Sequence, residues 1–227
     1  EQFLMRSLRQ KEDAFGGAHP ETATTICNLA RLYSATSRTV QAEELFRKAL
    51  TLHEESLGED HIKVAVDLFN YAEFLQSIFR LEEAEPLLRR AISIWQKTLG
   101  ANHPHVVIAK GLLASNFRRR GVVNLAEIYD REAEAANTSV SGETHPLTIH
   151  RRNNLVLTVI MLGKLEEARQ ILAANWRVNA PPHANTTPRI AFLRHLIARL
   201  ESQPNTGFLG LLTGTGLESR VYAARTA

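Results

Sequence analysis

HPETATTICNLARLYSATSRTVQAEELFRKALTLHEESLG, residues 19–58, decides the fold, because the chain keeps repeating it. His19, His61, His103 and His145 stand 42 residues apart, as do Gly16, Gly58, Gly100 and Gly142, and Ala42, Ala84, Ala126 and Ala168. Three columns sharing one long period mark a repeat array, in which each unit buries its apolar face on the next. The unit itself reads as two helices. Pro20 opens the first, where a fixed φ suits the helix and the missing N–H is not needed. Ile26, Leu29, Ala30 and Tyr33 then recur at helical spacing. After the polar break Ser37-Arg38-Thr39 comes a second run, Ala42, Leu45, Phe46, Ala49, Leu50, Leu52 and Leu57. Gly58 closes it as a C-cap, where a positive φ costs glycine little.

The spacing Ile26-x2-Leu29-Ala30-x2-Tyr33, followed by Ala42-x3-Phe46-x2-Ala49, resembles the signature of the tetratricopeptide repeat (TPR). The 42-residue period, with His-Pro opening and Leu-Gly closing the unit, looks like the kinesin light chain type of TPR. A TPR unit of about 34 residues, lengthened by about two helical turns, keeps its apolar faces in register. The resemblance covers residues 1–201. It implies an all-α fold, a right-handed α-solenoid (TPR superhelix) of antiparallel helix pairs. The first helix of each pair would line a concave binding face.

Applied to the whole chain, the period places repeats at 19–58, 61–100, 103–142 and 145–178 within a solenoid of residues 1–203. Residues 1–16 align with a second helix, Phe3 falling on Leu45 and Leu8 on Leu50, so the chain is expected to be a piece of a longer protein. Pro86 is expected in the first turn of its helix. The third and fourth units depart from the pattern: Lys110 and Arg152 take the first apolar position, and Asp130 takes that of Phe46. After the linker APPHANTTP (180–188), residues 188–202 read as a solitary capping helix with polar Arg194 and Glu201. Residues 204–227 form a glycine-rich, apolar tail.

Of the chain, 44% is hydrophobic, enough for a continuous core. A net charge of +3 permits an acidic ligand without demanding one. The single cysteine, Cys27, excludes an internal disulfide framework and suits a reducing, cytoplasmic setting. No apolar run approaches the ~20 residues of a membrane span.

Candidate ligand contacts follow from the resemblance. Asn28, Asn70 and Asn154 share one column, broken by Leu112, and match an asparagine of the NNLA motif in kinesin light chain repeats. An asparagine amide offers both donors and acceptors, so it can pair with the backbone of an extended peptide. The same amide can instead bridge neighbouring helices, and the sequence leaves both readings open. Thr24, Cys27 and Arg31, then Glu73, then Ser115, Arg118 and Arg119, then His150 and Asn153 flank that column. Their mixture fits a peptide with apolar and acidic residues, although Arg118 and Arg119 also read as a solvated helix end.

Other chemistries find little support. The four periodic histidines sit about 10 Å apart in adjacent units and cannot converge on the ~2 Å shell of a metal, so no metal site is expected. Cys27 has no evident histidine and carboxylate partners in sequence and reads as a small, half-buried thiol. GLLTGTG (210–216) lacks the lysine of a phosphate-binding loop, so no cofactor is expected. Aromatic residues are only 7%, and Tyr33 and Phe46 belong to the core signature, which argues against base-reading repeats. The expectation is a non-catalytic scaffold binding a short linear peptide or a partner protein, with no nucleic acid and no membrane. The alternative is a sensor, autoinhibitory or oligomerising arm of a larger multidomain protein such as an NTPase. In that case tail residues 207–217 fill the groove, or copies meet through the open solenoid ends.

Overall fold

The structure, a computed structural model, describes residues 1–178 and 187–202. The described residues form ten α-helices and no strand: α1 (Gln2–Phe15), α2 (Pro20–Ala35), α3 (Thr39–Leu57), α4 (Ile62–Ser77), α5 (Leu81–Leu99), α6 (Pro104–Arg119), α7 (Val123–Ser141), α8 (Pro146–Met161), α9 (Leu165–Val178) and α10 (Thr187–Ser202). The expectations for residues 180–186 and for the tail from 204 lie outside the described residues.

Three local devices recur along the chain, and each explains a sequence column. The periodic histidine is an N-cap: Nδ1 of His19, His61, His103 and His145 accepts the backbone N–H two residues on, at 3.1–3.2 Å. One orphan donor of each first helix is thereby satisfied. The glycine column closes the second helices. Gly58 N–H donates to the Glu54 carbonyl at 3.0 Å, and then the chain turns out at φ 88°, ψ 154°. That pairing is not the left-handed helical conformation of an ordinary glycine cap but an extended region essentially restricted to glycine.

The third device is the turn between the two helices of a pair. Ser37, Phe79, Gly121 and Gly163 occupy one 42-residue column, with φ of 60°, 63°, 77° and 75°. At each turn the next residue's N–H reaches back five residues, as from Arg38 to Tyr33 at 2.9 Å, and the positive-φ residue reaches back three. This is the double hydrogen bond of a Schellman cap. Two of the four turns therefore hold a side chain where glycine would be relaxed.

Pro86 departs from expectation. Its helix begins at Leu81, so the proline is the sixth helical residue and lies beyond the first turn. The helix forgoes the bond that Glu82 would otherwise accept, because proline has no N–H to donate.

Contacts divide the chain into two compact units, Glu1–Leu112 and Leu113 onward, with the boundary inside α6. In the first unit, α2 packs on α1, α3 and α4, and α4 on α3 and α5. Eight alanines of these helices (Ala23, Ala30, Ala42, Ala49, Ala65, Ala72, Ala84, Ala91) have no exposure. A larger side chain there would overpack the contact by about 1–3 kcal/mol. Phe46, Tyr71 and Phe74 fill the space between α3 and α4 with ring centroids 5.3–6.3 Å apart. By contrast α1 has no buried side chain, and Phe3 and Phe15 are 82% and 57% exposed.

In the second unit α8 packs on α7, α9 and α10. Leu155, Val156, Val159 and Ile160 of α8 meet Leu172 of α9 and Ile190, Leu193, Leu196, Ile197 and Leu200 of α10. Arg194 and Glu201 face outward from α10. One surface clamp is common to both units. Arg38 holds Glu1, Arg80 holds Glu43 at 2.6 Å, and Lys164 holds Glu127 at 2.7 Å, always 37 residues apart. Each joins the start of one second helix to the next.

Candidate protein-interaction surface

In the first unit, the first helices α2 and α4 carry the candidate residues. Burial alternates around them: Ala23, Ile26 and Ala30 are sealed, whereas Asn28 and Arg31 of α2 and Glu73 of α4 are exposed. Val66 and Ile108, equivalent to Thr24 in the following repeats, are 39% and 40% exposed. The outward strip of this unit is thus aliphatic along one column and charged along another.

Thr24, Cys27 and Asn70 turn inward instead. Thr24 donates to the Pro20 carbonyl at 3.0 Å, which also takes a bond from His53 Nε2 at 2.9 Å. His53 Nδ1 meets Asp67 Oδ2 at 2.5 Å, and both side chains are buried. The Asn70 amide donates to Cys27 Sγ at 3.5 Å. Burial first, and then the Asp67 carboxylate, push the Cys27 thiol well above its usual range. A thiol so held is the opposite of an activated nucleophile.

In the second unit Arg119 and His150 are exposed and Ser115 is half-buried. Asn154 is 8% exposed and its amide donates to His150 Nε2 at 3.3 Å. Asn153 is buried, its Oδ1 accepting from Asn175 at 3.0 Å. Arg118 pairs with buried Asp130 and donates to Thr158 Oγ at 3.0 Å. Its guanidinium is committed within the unit. A separate cavity of about 340 Å³ beside α9 and α10, lined by Leu172, Ala173, Ile197, Ala198, Arg169 and Arg194, contains none of the sequence-predicted residues.

The His53–Asp67 and Arg118–Asp130 pairs escaped sequence reading. Asp130 stands out as a charge in a core column, but its partner lies 12 residues earlier in a different column. Asp130 alone signalled the junction, since Arg118 stands in a column of polar residues, Ser34 and Gln76. Among the described residues no helix is long and apolar enough to cross a membrane, and no group of three His, Cys, Asp or Glu could hold a metal.

Comparison with known proteins identifies the scaffold. The tetratricopeptide repeat matches residues 22–63 and again 64–136, together about half of the chain. BtubC (BKLC) from P. vanneervenii superposes with a TM-score of 0.67 at 22% identity, over 71% of this chain and 65% of that one. The nearly identical TPR-like repeats of a kinesin light chain-type protein of Podosopora anserina superpose at 0.71 and 21%, over 91% and 96%. Aspartyl phosphate phosphatase F of Bacillus subtilis gives 0.66 at 14%, over 90% and 52%. At these identities the likeness speaks to fold alone. No curated protein matches the chain. With repeats capped, closed and spaced as described, the chain belongs to the tetratricopeptide repeat family, a class of α-solenoids that bind protein partners.

Proposed function

We propose that this chain is a non-catalytic scaffold that binds a short linear peptide, or an extended segment of a partner protein, on the outward strip of its first helices. One observation carries this reading: Asn28, Arg31 and Glu73 stay exposed while Cys27, Leu29, Ala30, Ala72 and Phe74 beside them are buried. Exposed Val66 and Ile108 beside them add apolar contact area. An extended peptide would meet amide and charged groups along one line and aliphatic groups along another. Cys27, with its thiol pushed up by burial, supports the non-catalytic part. Asn70 combines a ligand role with its bond to Cys27.

The test is display of a peptide library against the whole chain, followed by affinity measurement on the tightest binder. Replacing Asn28, Arg31 and Glu73 together by alanine is expected to weaken binding at least tenfold, about 1.4 kcal/mol. Unchanged affinity refutes the site. A second reading, self-association, is favoured by exposed Phe3 and Phe15 on α1. Sedimentation of the parent and of a Phe3→Ser, Phe15→Ser double variant decides it, and a concentration-independent monomer dismisses it.

A further inference from the structure

The interior of the second unit carries more positive charge than it neutralises. Asp130, 1% exposed, is already engaged by Arg118 and by the Thr158 hydroxyl at 2.5 Å. Arg152 of α8 is balanced by Glu134 at 2.7 Å. Arg151, one residue earlier and 9% exposed, has no such partner. Among the described residues no carboxylate oxygen comes within 4.0 Å of its nitrogens, and its Nε is sealed with nothing to donate to. Nη1 and Nη2 are not sealed.

The equivalent column in the first unit is satisfied. Asp67, 84 residues before Arg151, has His53 at 2.5 Å, and Thr25 donates to the Glu21 carbonyl at 3.1 Å. Arg151 therefore differs from its counterparts in holding a charge that no carboxylate among the described residues touches. Burial pushes its guanidinium below the ordinary arginine range; Asp130 opposes that shift and Arg118 adds to it. A buried ion with no counter-ion in contact is costly, and a guanidinium edge is the geometry that takes two oxygens of one anion in parallel.

We propose that Arg151 is the receptor for an oxyanion, a carboxylate or phosphate group whose two oxygens accept from Nη1 and Nη2. Arg118, tied to Asp130, makes no bond to the anion. The interior of the unit lowers the local dielectric and strengthens the pairing of the anion with Arg151.

The test is thermal unfolding of the full chain at constant ionic strength, with sodium phosphate or sodium acetate replacing sodium chloride. A saturable rise in Tm is expected, since an anion that binds only the folded state stabilises it. A rise with phosphate alone identifies a phosphate ligand, with acetate alone a carboxylate, and with both a general oxyanion site. Arg151→Met is expected to lose that rise and to unfold at a higher temperature than the parent in chloride, because the open charge is gone. Arg151→Lys should keep a weaker rise, which also decides the matter should the methionine variant fold poorly. No saturable rise with either anion, an equal rise in Arg151→Met, or a methionine variant less stable than the parent overturns the proposal.

Discussion

Phe46, Tyr71 and Phe74 in the first unit stand in the same columns as Asp130, Leu155 and Thr158 in the second, each pair 84 residues apart. The same backbone site is thus filled in two ways. In the first unit three rings pack with centroids 5.3–6.3 Å apart, and Phe46 is 1% exposed. In the second, Asp130 is equally buried but binds Arg118 and Thr158, and its Oδ1 is left without a partner. Aromatic packing needs only shape, whereas the ionic junction needs every polar atom satisfied. The repeat frame accepts both because it is set by the caps, the turns and the zero-exposure alanines, which the two units share.

The sharpest way to break this comparison is to remove one member at each junction. Phe46→Ala leaves a cavity and is expected to cost about 3–5 kcal/mol. Asp130→Ala is expected to cost a similar 3–5 kcal/mol for a different reason: it strands the buried Arg118 charge. Urea unfolding gives the totals, and hydrogen exchange over α7 and α8 localises the second loss. An Asp130→Ala effect under about 1 kcal/mol would mean that Arg118 reaches water and the junction is not buried in function.

Converting one junction into the other comes next. Asp130→Phe, Thr158→Phe and Arg118→Met together recreate an apolar site. The triple variant is expected to be neutral or more stable by about 1–4 kcal/mol, because the desolvation of three polar groups is removed. If it unfolds below the parent, the ionic network is net stabilising and its polar geometry sets the packing of α7 on α8.

Much of the frame was legible from the sequence because its signals are local. A histidine two residues before a backbone N–H, a glycine at a helix end and an alanine stripe each act within one unit, so their periodicity survives translation into structure. The ionic junction is different. Arg118, Asp130 and Thr158 come from three helices, and only the third dimension gives a charge in a core column its ion-pair partner. Among the candidate contacts, Asn28 and Arg31 lie outward, yet Asn153, one residue from the asparagine column, is buried against Asn175. A rotation of about 100° per residue separates those two fates. Pro86 was misplaced for a simpler reason: helix starts are the least defined feature of a periodic pattern.

The surface clamp is shared by both units and so serves as an internal control. Burial would raise the Glu43 carboxyl, but hydrogen bonds from Arg80, Arg47 and Tyr71 outweigh it and hold it at about 2. At Glu127 burial acts the same way, and Lys164 and Arg131 likewise bring the carboxyl below its usual range. A carboxylate with a depressed folded-state pKa stabilises above its unfolded value of about 4.3, and that stability is lost as pH falls toward the folded value. Glu43→Gln is therefore expected to lower stability at pH 7 by on the order of 1–2 kcal/mol after solvent screening, and to flatten the acid-side decline between about pH 5 and 2. Glu127→Gln should behave alike. Unequal effects would show that the units differ at their surface as well as inside.

The smallest expected effect separates the units in the opposite sense. The positive-φ turn is Ser37 and Phe79 in the first unit but Gly121 and Gly163 in the second. A side chain in the left-handed region costs about 1–2 kcal/mol, partly offset because glycine loses more entropy on folding. Ser37→Gly is thus expected to stabilise the chain by about 0.5 kcal/mol, and Gly163→Ala to destabilise it by about 1 kcal/mol. No atom lies within 4 Å of a Cβ added at Gly163, so the second loss would be conformational and not a clash. Urea midpoints at constant slope check both. If Ser37→Gly lowers the midpoint, the serine side chain contributes more than its backbone strain removes. The first unit, with strained turns and a relaxed interior, would then no longer mirror the second, whose turns are relaxed and whose interior is charged.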